Sequence, residues 1–164
     1  MNKKKKYKLI ETYLIENQQA HYRFAYSYVK DKERALDIMQ ESIIKALRSS
    51  DSLVQIQYLK TWFYRILINT SLDFIQKDKK IIYVEDKTLD YHLPVQEDEL
   101  RDIDLYEAID QLSGPDKTII ILRYFEDLKI DDIAQLLGEN KNTVRSRLYA
   151  TLKKLRALLE EVGQ

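Results

Sequence analysis

The 164-residue chain contains no cysteine, only three glycines and two prolines, and no apolar run near the roughly 18 residues that would cross a bilayer. Each scarcity excludes something. Without cysteine there is no disulfide framework and no thiolate metal site, which is compatible with a reducing cytosol. Three scattered glycines cannot build a phosphate-cradling loop. The only histidines, His21 and His92, have no metal-ligand spacing to each other or to a carboxylate pair. Lys3 to Lys6 look like the charged start of a secretory signal, but Glu11, Glu16, Asn17 and Gln18 interrupt the apolar core it would need. The expectation is a cytoplasmic protein with no membrane insertion, no cofactor and no catalytic residue. So few helix breakers, with 45% hydrophobic residues, predict an all-α chain with one ordinary core or two small ones.

The formal net charge of zero hides a polarity along the chain. Lys plus Arg against Asp plus Glu is 14 to 8 over residues 1–77, 4 to 9 over 78–104, and 9 to 10 over 105–164. An acidic middle therefore separates two potential binding modules. A free-standing DNA binder usually carries net positive charge, because counterion release supplies much of its affinity. This balance points to a larger partner that helps to hold any DNA.

Residues 128 to 155, LKIDDIAQLLGENKNTVRSRLYATLKKL, carry the most information. Ile130, Ile133, Ala134 and Leu137 recur at helical spacing, and Gly138 follows where a helix stops in a left-handed conformation. Asn140 is placed to cap a second helix whose Val144, Leu148, Thr151, Leu152 and Leu155 form one buried seam. Lys141, Asn142, Arg145, Ser146 and Tyr149 then lie on the other side. From Asn140 to Arg156 there are six cations and no acid, which suits phosphate contacts, and Arg145 is long enough to reach a base edge. The pattern reads as a DNA-binding helix-turn-helix; the plainer alternative is a basic, solvated face over a small core.

Upstream, helices are predicted near Tyr7 to Leu14, from Gln19 to Val29, from Lys32 to Arg48 behind an Asp31 cap, and from about Tyr58 to Lys77. Asp37 and Glu41, one turn apart with Gln40 beside them, put two like charges on one helix face. They are either a solvated edge or a docking point. Arg65, Asn69, Asp73 and Lys77 form a four-residue-step polar stripe beside Tyr58, Trp62, Phe63 and Tyr64, aromatics that are either core or stacking platforms for unpaired bases. Residues 78–100 lack a helical period, contain Pro94 and mix the apolar patch Ile81 to Val84 with many acids, as a linker would. Leu105, Ile109 and Leu112 mark a helix ending at Ser113 and Gly114, and Pro115 fits the first turn of the next.

Taken together, ALDIMQESIIKAL at 35–47, WFYRILINTSLDFIQK at 62–77 and LRYFEDLKIDDIAQLLGENKNTVRSRLYATLKKL at 122–155 resemble a bacterial RNA polymerase sigma factor of the extracytoplasmic-function group, in the sigma-70 family. Within that group the chain is most similar to sigma-V-like factors of Firmicutes. The resemblance implies two small helical domains: region two over 1–77 and region four over 101–164, joined by an acidic linker at 78–100. It assigns Asp37, Gln40 and Glu41 to the clamp coiled coil of RNA polymerase core. It assigns Ser52, Leu53, Arg65 and Asn69 to the minus-ten element, where Asn69 and the loop at Ser52 and Leu53 receive a flipped base. For the minus-thirty-five duplex it implies base contacts from Arg145, Ser146 and Tyr149 and phosphate contacts from Lys141 and Arg147. The implied partners are core polymerase, through clamp and flap, promoter DNA, and a membrane-anchored anti-sigma factor. The sequence departs from the common family pattern at Lys129, where Ser or Thr usually caps the first helix, and at Asn142, where Gly is frequent. A shifted helix start would rotate the reading face. The competing readings are a stand-alone helix-turn-helix regulator and a helical enzyme or metal protein built on Asp37 and Glu41.

Overall fold

The computed structural model describes residues 1–78 and 103–162, and every regular element among them is helical. The chain divides into two compact units, Met1–Lys87 and Thr88–Gln164. The expected linker lies outside the described residues except for Asp78, which ends a helix.

The first unit contains α1 (Lys3–Glu16), α2 (Gln18–Val29), α3 (Lys32–Arg48), two single 3₁₀ turns (Ser50–Ser52 and Ile56–Tyr58) and α4 (Leu59–Asp78). Asn2 starts α1 by accepting a hydrogen bond from the Lys5 backbone N–H at 2.8 Å, which takes the helix a turn upstream of its apolar positions. Lys30 ends α2 in the left-handed region (φ 52°), and its N–H donates to the Tyr26 carbonyl. Asp31 follows with extended backbone at the cap of α3, but its carboxylate makes no cap hydrogen bond and lies 3.9 Å from Arg34. Helices α2, α3 and α4 pack against one another, while α1 packs on α3 and the first 3₁₀ turn. Ile10, Phe24, Ile38, Phe63, Tyr64 and Leu67 are almost wholly buried between them. Burial of one such side chain contributes about 1.5–3 kcal/mol, so this small set dominates the stability of the unit.

The second unit contains α5 (Ile103–Asp110), α6 (Gly114–Ile120), a wider turn at Ile121–Phe125, α7 (Ile130–Leu137) and α8 (Lys141–Val162). Helix α5 stops at Asp110, ahead of the expected end, and single-turn bonds from Gln111 and Leu112 complete it. Ser113 instead caps α6, with Pro115 in the first turn as expected. At Ile121–Phe125 the helix widens, so Glu126 N–H reaches back five residues to Ile121. Asp127, at φ 56°, then reverses the chain and Leu128 N–H bonds the Leu122 carbonyl. Gly138, at φ 65°, ends α7 as the sequence predicts, and the Glu139 and Gly138 N–H groups return to Ala134 and Gln135. Asn140 caps α8 through a 2.7 Å bond from Asn142 N–H. Val144, Leu148, Thr151 and Leu155 are buried as the seam predicts, whereas Leu152 is only half-buried.

His21 joins the aromatic cluster of the first unit, with its ring centroid 4.5 Å from Phe63 and 5.3 Å from Tyr64, and its Nε2 3.3 Å from the Tyr13 hydroxyl. Burial, and then the charge of Lys60, lower its pKa to about 4. An unfolded chain therefore takes up this proton near pH 6.5, whereas the folded chain resists it until about pH 4. Folding stability is lost as the pH falls through that window, by up to roughly 3 kcal/mol. Urea melts of the first unit's signal from pH 7 to 4 should show this slope, and His21→Phe should flatten it.

Candidate nucleic-acid interface

Helix α3 turns Ala35, Ile38, Ser42 and Ala46 into the core and leaves Asp37, Gln40 and Glu41 exposed on its outer side. No hydrogen bond or ion pair among the described residues engages Asp37 or Glu41. Leu36 and Ile44, which the sequence reading passed over, are 45% and 44% exposed on the same helix. The face thus combines two uncompensated carboxylates with apolar surface. Period alone could have found it, since positions 36, 40 and 44 repeat every four residues.

Helix α4 divides in the same way. Phe63, Tyr64, Leu67 and Ile68 are buried, which resolves the first two as core, while Arg65, Asn69, Asp73 and Lys77 are exposed. Lys45 of α3 reaches across to Thr70 Oγ1 at 3.2 Å, with Asp73 4.0 Å away. Trp62 is half-buried, and its indole Nε1–H donates to Ser52 Oγ at 2.9 Å. The Ser52 hydroxyl in turn donates to the Ser49 carbonyl at 2.6 Å. Leu53 is 2% exposed and anchors the loop from below, whereas Val54 beside it is 86% exposed at the tip. The loop before α4 is therefore fixed at Ser52 and Leu53 and presents Val54 outward.

On α8, Ser146 is exposed and Tyr149 is 63% exposed, while Arg145 and Arg147 are half-buried. Lys141 forms a 2.8 Å ion pair with Asp131 of α7, and Arg147 a 3.0 Å pair with Glu139 of the turn. Farther along, Lys154 reaches Asp116 of α6 at 3.2 Å. The acid-free run on α8 is thus countered by acids from other elements, which its own composition could not reveal. Arg145 keeps no carboxylate at hydrogen-bond distance; its Nη1 lies 3.5 Å from Asn142 Oδ1. Asp131 has its pKa lowered by the hydrogen bond and charge of Lys141, with smaller help from Arg145 and Lys129. Lys129 occupies the cap position of α7 with extended backbone and no side-chain cap bond, so the departure noted in the sequence leaves the helix start intact.

The described residues include no group of three or more His, Asp or Glu side chains placed to hold a metal, and no helix long and apolar enough to cross a membrane. Residues 14–81 match the family model of sigma-70 region 2, and residues 102–155 match that of sigma-70 region 4. The RNA polymerase sigma factor SigV of Bacillus subtilis is 48% identical over 151 residues, covering 92% of this chain and 91% of that protein. The chain belongs to the extracytoplasmic-function group of the sigma-70 family. The ECF sigma factor SigW of the same organism is 30% identical over 158 residues, covering 86% of this chain and 83% of its own. Among solved structures, the sigma factor RpoE of Bartonella quintana, in complex with the anti-sigma factor NepR, superimposes with a TM-score of 0.73 at 25% identity over 92% of this chain and 96% of that one. The protein is accordingly an alternative sigma factor that directs RNA polymerase to promoters, and the stand-alone regulator is not favoured. The family is one of initiation factors rather than enzymes.

The Asp131–Lys141 pair makes a specific prediction for this sigma factor. Lys141→Met should raise the Asp131 midpoint toward an ordinary carboxylate value while the fold is retained, as read by carboxylate NMR titration. Both partners are exposed, so the pair's contribution, present above the unfolded carboxylate pKa, should fade as acid protonates Asp131 with little change in melting temperature.

Proposed function

We propose that this sigma factor, without a catalytic centre of its own and working in the cytoplasm, acts through three separate faces. Asp37, Gln40 and Glu41 dock on the clamp coiled coil of core polymerase, with Leu36 and Ile44 supplying apolar contact at the sides. Ser52, Leu53, Arg65 and Asn69 receive the minus-ten element: Leu53 holds the loop, Ser52 and Trp62 set its shape, and Asn69 offers amide donors and acceptors to an unstacked base. Arg145, Ser146 and Tyr149 read the minus-thirty-five duplex, Lys141 and Arg147 neutralise phosphates, and the unit also meets the polymerase flap. Residues 1–77 then serve as region two and 101–164 as region four. The observation that carries this reading is the division of α3, α4 and α8 into a buried apolar side and an exposed side of different chemistry. The Bartonella relative is in complex with an anti-sigma factor, and by analogy an anti-sigma factor, here anchored in the membrane, silences this chain by covering the same faces.

Charge reversal of Asp37 and Glu41 tests the docking face. The double variant should melt as the parent does, since both side chains are exposed and unpaired among the described residues, yet bind core polymerase at least tenfold more weakly, a loss of about 1.4 kcal/mol or more. Unchanged assembly of holoenzyme would remove the assignment. On α8, Arg145→Ala should cost about 1–3 kcal/mol and relax preference at one base pair. Lys153→Ala should weaken cognate and scrambled duplexes alike. Equal losses on both duplexes from the Arg145 variant would reduce that residue to a phosphate contact.

A further inference from the structure

Helix α1 opens on Lys3, Lys4, Lys5, Lys6 and Lys8, with no acid in its first turn. This is an unfavourable place for cations: the helix macrodipole is positive there, and Lys4 and Lys8 repel each other one turn apart. Lys3, Lys4, Lys5 and Lys8 are nevertheless exposed, and of these only the Lys3 side chain is engaged by a described partner, the carboxylate of Asp51. That contact is 3.9 Å long between side chains 88% and 76% exposed, a loose pair that an external anion can displace. Its position is informative. Asp51 lies in the 3₁₀ turn Ser50–Ser52, against which α1 packs, and the next residue, Ser52, holds Trp62. Through Lys3, the lysine-rich start of α1 therefore reaches the loop assigned above to the minus-ten element.

We propose that the lysines at the start of α1 form a phosphate-binding surface for the promoter strand held at that loop, gripping its backbone beside the captured base. The inference rests on the minus-ten assignment of the loop, to which it adds a contact that is independent of sequence. A strand leaving the loop meets Lys3 first, and its phosphate replaces Asp51. Lys4, Lys8 and Lys5 continue the surface round the first turns of the helix, about 100°, 140° and 200° from Lys3. The charge conflict within α1 is relieved when the polyanion is present. An anionic membrane is the competing polyanion, but α1 is poorly built for it. Ile10 and Leu14 are committed to the core, and the exposed apolar residues Tyr7, Leu9 and Ile15 point to different sides of the helix, which leaves no continuous apolar face to enter a bilayer.

The test compares holoenzyme made with the parent chain and with Lys4→Gln/Lys5→Gln/Lys8→Gln, binding to a pre-melted bubble duplex over a range of salt. Single-strand phosphate contacts contribute about 0.7 each to the slope of log affinity against log salt, so three lost contacts should lower it by about 2. Affinity near physiological salt should fall on the order of tenfold, on cognate and base-substituted bubbles alike. The free variant should melt no lower than the parent, because the repelling cations are gone. An unchanged slope overturns the proposal. So does lysine-dependent binding to phosphatidylglycerol vesicles with bubble binding unaltered, which would assign the surface to a membrane. Asn69→Ala separates this inference from the reading beneath it. If that variant keeps its base preference while the lysine variant loses slope, the base assignment fails and the phosphate surface stands; the opposite pattern overturns the surface alone.

Discussion

A helix that closes a small core has only one face left to offer, and both units of this protein are organised by that constraint. In the first unit, α4 commits Phe63, Tyr64, Leu67 and Ile68 to the aromatic and aliphatic interior, so everything it can present lies on the Arg65–Asn69–Asp73 side. In the second, Val144, Leu148, Thr151 and Leu155 fix the rotation of α8 and thereby decide that Ser146 and Tyr149 face outward. A core substitution that rolled either helix by one position would turn its outer face by about 100°. Stability and recognition are coupled through helix rotation, and no separate scaffold stands behind either surface.

The second common feature is local counter-charge. Lys141 and Arg147 are each held by a carboxylate from outside α8, and Lys45 is held between Thr70 and Asp73. Exposed pairs of this kind add little to stability, but they orient long side chains and compete with any phosphate brought near them. A chain of zero net charge with several of its surface cations already paired is suited to act where another protein supplies most of the grip. Sigma-family membership provides that protein in core polymerase.

Much of this was legible in the sequence, for reasons that differ by element. Helix α3 runs over Lys32–Arg48 as its apolar period indicates, although Asp31 makes no cap hydrogen bond, and the turn at Gly138 and Asn140 forms as expected because cap chemistry and apolar period agree there. Helix α1 begins earlier than its apolar residues indicate, since Asn2 caps a turn made almost wholly of lysine. The widened turn at Ile121–Phe125 left no mark, because its residues are apolar and helix-compatible, and the left-handed positions at Lys30 and Asp127 carry neither Gly nor Asn. The exposure of Asp37 and Glu41 on α3 and of Arg65, Asn69, Asp73 and Lys77 on α4 could be read from period. The Trp62–Ser52 bond and the Asp131–Lys141 and Glu139–Arg147 pairs could not, since they join different elements whose packing only the tertiary structure defines.

The central claim is that two modest surfaces on a chain of zero net charge become a promoter reader only on core polymerase. Bringing two sites within reach at once raises effective concentration without any new contact, and on this proposal polymerase supplies that geometry. Fluorescence anisotropy with a labelled promoter duplex at physiological salt, with and without core polymerase, measures this directly. The account predicts weak, barely selective binding by the free protein and tight, sequence-selective binding by the holoenzyme. Nanomolar, sequence-specific binding by the free protein would contradict it.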